Sequence, residues 1–251
     1  MWKLNLKFAL LSLVIMSGTY ADSFYFLSAG NVTWDGVYVN PYQAVDLSKT
    51  WENPLTVYCD DWNTDFSGNP TWNADVYTLT PDNLSHFKYA NPSSDYTLAL
   101  NSGKLVATLE SNTPAWSPWQ RYLEAAWLDE QWRDIMGTSA ATRDTQIELE
   151  AAMWTLFVDA SHVDRLVGAI NNSGYATEVN GYLRDAEHAV TPVADGGLGY
   201  TAPGWDVIVP TNNSFPMQEF LVHAPEPGAV ILLGTLVGSL GLIQLRRKRT
   251  A

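Results

Sequence analysis

The chain has 251 residues, 46% of them hydrophobic and only 16% charged, with 11 Trp, 12 Tyr and 8 Phe, a composition that can bury a core and excludes generic disorder. Its formal charge is -13; within residues 22–224 eight basic side chains stand against 26 acidic ones, a net of -18, and a field of that sign excludes nucleic acid as a partner. One Cys excludes an internal disulfide framework and a thiolate-rich zinc site.

The chain opens on a short basic stretch with Lys3 and Lys7, followed by an apolar run from Phe8 to Met16 and small residues at Thr19 and Ala21. This order predicts a secretory leader over residues 1–21, cut after Ala21. From Ser23 to about Leu109 short alternating runs, among them Gly36 to Val39, Leu55 to Cys59 and Ala74 to Leu79, are separated by Asn, Pro, Gly and Asp clusters. They predict strands joined by turns.

The pattern then becomes helical, over Trp119 to Met136, Ala141 to Ala160, Val163 to Ile170 and Ala176 to Val190. Leu123, Ala126 and Trp127, then Ile147, Ala151, Trp154 and Val158, recur at three- and four-residue steps. Thr191 to Gly204 reads as a Gly- and Pro-rich loop, and Asp206 to Val209 and Met217 to Val222 return to strand. The order predicts one exported α+β domain over residues 22–224, a β-sandwich or barrel-like body carrying an inserted helical layer.

Gly228 to Leu245 is apolar, broken only by small residues and Gln244, and Arg246, Arg247, Lys248 and Arg249 follow it. At 1.5 Å per residue the segment reaches roughly 27 Å, enough for a bilayer core. The basic cluster predicts a cytoplasmic stop, which puts the body outside the cytoplasm, in agreement with the leader. Just before it stand Pro225, Glu226 and Pro227, whose prolines forbid helix continuation.

That tail, residues 225–251, resembles the PEP-CTERM sorting signal of exported proteins in Gram-negative bacteria that make exopolysaccharide. The resemblance implies an exosortase-type processing enzyme as a partner. It also implies transient anchoring in the inner membrane and a final place at the cell surface or in a biofilm matrix.

A second resemblance lies in the body. Val57-Tyr58-Cys59-Asp60-Asp61-Trp62, followed by helices with Ala125-Ala126-Trp127-Leu128 and Ala152-Met153-Trp154, resembles the thioester domains of bacterial surface adhesins. In that family a Tyr-Cys strand faces a helix carrying Gln-x-Ala-x-Trp. The Cys thiolate attacks the Gln carboxamide, ammonia leaves, and the acyl group can pass to an amine on a target surface. Here the register Glu150-Ala151-Ala152-Met153-Trp154 puts Glu150 in the Gln place, with Gln146 one turn earlier. The resemblance thus implies a degenerate thioester site of Cys59, Gln146 and Glu150. Two readings of Cys59 stand open: a buried small hydrophobe, or a thiol acylated through Gln146.

Asp60, Asp61, Asn63 and Asp65 form an oxygen-rich run, but counted from Asp61 the EF-hand glycine place is Phe66 and the closing Glu place is Trp72. A turn with Asx side chains is the expectation. Glu124, Asp129, Glu130, Glu148 and Glu150 fall on predicted helices, where solvated faces are expected; a carboxylate pair for glycoside hydrolysis is the rival. His86, His162, His188 and His223 lack close ligand spacing, and no Ser-centred elbow or phosphate loop is present. No metal and no cofactor are expected.

Trp127, Trp132 and Trp154 lie in predicted helices and are expected in the core. Trp51, Trp62, Trp72, Trp116 and Trp119 flank Pro, Asn and Gly and are expected in loops. Exposed aromatic faces there can stack on sugars, with Trp62 and Trp119 as the candidate contacts. The sequence thus predicts a non-enzymatic surface or extracellular-matrix protein associated with exopolysaccharide. A covalent thioester adhesin and a carbohydrate-active hydrolase are the alternatives.

Overall fold

A computed structural model of the chain describes residues 22–28, 32–39, 41–48, 54–59, 71–90, 95–110, 117–211 and 219–223. The predicted leader, Asp60 to Asp65, Trp51, Trp62, Trp116, the Pro225-Glu226-Pro227 motif, the apolar tail and its basic cluster lie outside the described residues.

Alternating side chains in the front half form β1 (Asp22–Ser28), β2 (Val32–Trp34), β3 (Val37–Val39), β4 (Tyr42–Asp46), β5 (Leu55–Cys59) and β6 (Thr71–Thr78). A hairpin of β7 (Asp95–Asn101) and β8 (Lys104–Glu110) precedes α1 (Pro118–Ile135), α2 (Arg143–Phe157), α3 (Val163–Ser173) and α4 (Ala176–Val190). The chain then returns through β9 (Trp205–Pro210) and β10 (Phe220–His223).

Six strands close into an antiparallel barrel in the order β1-β4-β5-β10-β9-β6, with β6 pairing back onto β1. The strand-rich body is therefore a barrel and not a sandwich. Closure leaves these strands no free edge. Their two-residue period divides the side chains between an inner and an outer face. Val57 and Cys59 of β5, with Phe220 of β10, join the interior cluster, whereas Tyr58 and Leu221 join the cluster shared with the helices.

The long insertion leaves from β6 and returns into β9, and these strands are neighbours, with Thr78 opposite Asp206. The Leu79 N–H donates to the Trp205 carbonyl at 2.8 Å, so exit and entry are stapled together. A helical layer can be added at such a point without opening the barrel.

Caps fix the helix starts. Ser117 Oγ accepts from the Gln120 N–H at 3.2 Å with Pro118 in the first turn, and Thr142 Oγ1 accepts from the Thr145 N–H at 3.2 Å. α3 stops at Gly174, whose φ of 82° is a left-handed helix end. The β2–β3 hairpin turns on Asp35 and Gly36, both at positive φ (47° and 83°), the geometry of a two-residue hairpin loop. It is clamped to the helices by Trp34, which stacks on Trp154 at 6.2 Å and donates from Nε1 to Ser173 Oγ at 2.9 Å.

Two expectations are corrected. Trp72 is not in a loop: the alternation Trp72, Ala74 extends β6 toward the N-terminus and turns the ring into the barrel, where it stacks on Phe24 at 5.5 Å. The helix acids are not all on solvated faces: Glu124, Asp129 and Glu150 are each fully buried. α1 is packed against both α2 and α4, so it has no broad polar side to place its acids on. Among the described residues no helix is long and apolar enough to cross a membrane.

Candidate functional site

β5 carries Cys59 at its last position, paired with Phe220 of β10 and pointing inward. The thiol is fully buried. Tyr42 of β4 pairs with Val57, two residues before Cys59 on the same inner face, which puts the ring on the diagonal from the thiol. The Tyr42 hydroxyl donates to the Tyr38 carbonyl at 2.7 Å. Burial, then the charge of Cys59, then that of Glu150 push the Tyr42 phenol far above its ordinary range.

α2 is the element that brings Glu150 into this neighbourhood. The charges of Cys59 and Glu150, which sequence resemblance pairs, both raise the same phenol. Gln146 is half-buried in the first part of α2, with Nε2 donating to the Ala141 carbonyl at 3.2 Å. The group nearest in role to an acyl donor is consequently a carboxyl. An ionised carboxylate resists thiolate attack, since the leaving group would be oxide, whereas a carboxamide releases ammonia.

Two further buried acids sit on α1. Glu124 Oε1 accepts from Gln120 Nε2 at 3.1 Å. Burial drives its carboxyl up to about 8, opposed by the Gln120 hydrogen bond and reinforced by Glu187 on α4. Asp129 is raised well above the carboxylate range by burial alone. Sequence reasoning missed Glu219 altogether. It is fully buried, accepting from the Tyr122 hydroxyl at 2.5 Å and from the Lys88 N–H at 2.8 Å, and so ties α1, the Lys88 segment and the start of β10 together. No local signal marks it, because its partners lie 97 and 131 residues away.

Asp159, Ser161 and His162 resemble a catalytic trio only in composition. Ser161 Oγ and His162 Nδ1 both approach the same Asp159 oxygen, at 2.5 and 2.8 Å, so the His has no relay position between the other two. The same oxygen accepts the Ser161 and His162 N–H groups, and the arrangement is a turn opening α3. Burial raises the Asp159 carboxyl, but hydrogen bonds from Ser161 and His162 outweigh it and hold the group below its ordinary range.

Trp132 and Trp154 are buried in the helical core and Trp127 packs against it. Trp119, expected in a loop, lies instead in the first turn of α1, half-buried, because the Ser117 cap and Pro118 start the helix before it. The described residues hold no group of three or more His, Cys, Asp or Glu arranged for a metal ion.

The site and fold together describe a closed barrel with an inserted four-helix layer and a lone inward thiol. No protein-family model matches the chain, and no curated protein matches it. Solved structures similar to it include the N-terminal thioester domain of fibronectin-binding protein SfbI from Streptococcus pyogenes. That likeness has a TM-score of 0.46 and 8% identity, covering 83% of this chain and 95% of that one. The N-terminal domain of the Streptococcus pyogenes pilus tip adhesin Cpa aligns with a TM-score of 0.43 and 11% identity, covering 84% of this chain and 97% of that one.

Proposed function

We propose that the chain is a non-enzymatic exported protein of the cell surface or extracellular matrix. In this reading an exosortase-type enzyme sorts it through Pro225-Glu226-Pro227 and the following tail, and it associates with exopolysaccharide by non-covalent contact. The carrying observation is that Cys59 and Glu150 are both fully buried and that the charge of each raises the Tyr42 phenol. Adhesion chemistry of the thioester kind needs a carboxamide where this chain has a carboxyl.

Export and sorting are supported by the basic-then-apolar start and by the Pro-Glu-Pro, apolar, Arg-rich end. Trp119 is the described candidate for sugar contact, with part of its ring open to solvent; Trp62 is the other candidate. Affinity electrophoresis through the host's own exopolysaccharide tests the binding half. Retardation of the parent, lost in Trp62→Ala and Trp119→Ala, is expected. Unretarded parent protein, or variants that migrate with a retarded parent, contradict it. Recovery of surface protein beginning near Asp22 and lacking the residues after Pro227, in a host with an active exosortase, tests the sorting half. An intact tail there contradicts it.

A further inference from the structure

Asp129 is a buried acid that the proposed surface role does not use. It projects from the C-terminal half of α1, is fully buried, and neither carboxyl oxygen has a hydrogen-bond partner among the described residues. Three elements face it or its neighbours. Tyr58 comes from the outer side of β5 and feels the charge of Asp129 and of Arg133. Tyr200, in the segment leading to β9, feels Glu130 and Asp129. Trp205 of β9 donates from Nε1 to Glu130 at 3.5 Å. Besides Asp129, α1 itself carries Arg121, Glu124, Glu130, Arg133 and Asp134.

A buried carboxylate without hydrogen-bond donors is strongly disfavoured, whereas the neutral acid is tolerated and carries a proton of its own to share. The surroundings are phenols and an indole, and Arg133 is exposed on the helix surface. We propose that Asp129 is a proton-operated latch between α1 and the barrel: as the neutral acid it lets the C-terminal half of α1 lie against Tyr58 and Trp205, and as the anion it drives that half away.

The sign follows from proton counting. The closed form holds the Asp129 proton, its carboxyl raised by burial. An opened α1 exposes the group to water, where it loses its proton above about pH 4. Opening therefore becomes easier as pH rises, by about tenfold per pH unit, until the closed form also ionises. The latch is tight in acid and loosens in alkali. This inference stands independently of where the protein resides.

Hydrogen exchange of residues 128–136, corrected for the intrinsic rate and run where reclosing outruns exchange, reads the latch. The starting protein is the Glu124→Gln variant, because Glu124 titrates on the same helix. Between about pH 5 and about pH 8 its protection is expected to fall by about tenfold per unit, while β1 and β4 keep theirs. Adding Asp129→Asn, or the apolar Asp129→Leu if the first does not fold, is expected to abolish the slope. The latch is overturned by a slope that survives both substitutions, by a flat profile in the Glu124→Gln protein, or by barrel strands that lose protection in parallel with α1.

Discussion

The barrel interior and the helical layer solve the same burial problem with different materials. Inside the barrel the large groups are aromatic: Phe24, Phe26, Tyr42, Trp72 and Phe220 contact one another at ring distances of 5.5 to 6.2 Å. The helical layer buries equally large rings, Trp132 and Trp154, but interleaves them with Arg121, Glu124, Asp129 and Glu150. Apolar burial is indifferent to pH, while a buried acid ties stability to its proton. The two halves of one domain should therefore answer to different perturbations.

The largest expected effect lies in the barrel. Phe220→Ala removes a ring that touches both Tyr42 and Trp72 and should cost about 3–5 kcal/mol in denaturant titration. The loss should be the same at acid and neutral pH. A strongly pH-dependent loss would break the contrast between the halves.

Glu124 is expected to act in the opposite manner. Its folded carboxyl titrates at about 8, above the ordinary value of about 4.3. The folded state thus holds a proton that the unfolded chain has released. Stability from this group is present below the unfolded value and falls by about 1.4 kcal/mol per pH unit as pH rises toward about 8. Glu124→Gln should remove that slope and be more stable than the parent at pH 8, as read from melting temperature against pH. Parallel profiles would sink this assignment.

Smaller effects sharpen the boundary between the halves. Thr142→Ala deletes the hydroxyl that caps α2 and should cost about 1 kcal/mol, measured by thermal melting, with no change in pH slope. Cys59, inside the barrel, should be alkylated slowly in the folded protein and quickly after denaturation, because only an exposed thiolate reacts. Equal rates in the two states would remove the thiol from the interior.

Much of the helical layer was legible because its signals are local. The three- and four-residue spacing through Leu123, Ala126 and Trp127 and through Ile147, Ala151 and Trp154 places α1 and α2 to within a few residues. The Asp35-Gly36 turn is equally local, yet the alternating run that predicts a strand begins at Gly36, one residue too early. Barrel closure was not legible, since β1 meets both β4 and β6 through pairings set by distant chain. Trp72 was misplaced for that reason: the Asn and Pro before it suggest a loop, and only the partner Phe24 shows why the ring turns inward. The burial of Glu124 and Asp129 did leave a trace in the sequence. From Tyr122 to Trp132 apolar residues occupy every side of the helix, and a helix apolar all round is buried together with whatever acids it carries. Cys59 and Glu150 were brought together by motif resemblance, whereas the effect of both charges on the Tyr42 phenol depends on the barrel register.

The central claim is that this barrel carries a thiol and a carboxyl where acyl-transfer chemistry would need a thiol and a carboxamide. Intact-mass measurement of the folded protein, before and after methylamine, tests it most directly. The account predicts the full mass expected from the sequence of the protein recovered, unchanged by methylamine, in both the parent and Cys59→Ala. A mass lower by one ammonia in the parent, shifted by methylamine and restored to the full value in Cys59→Ala, would contradict it and make Gln146 the acyl donor.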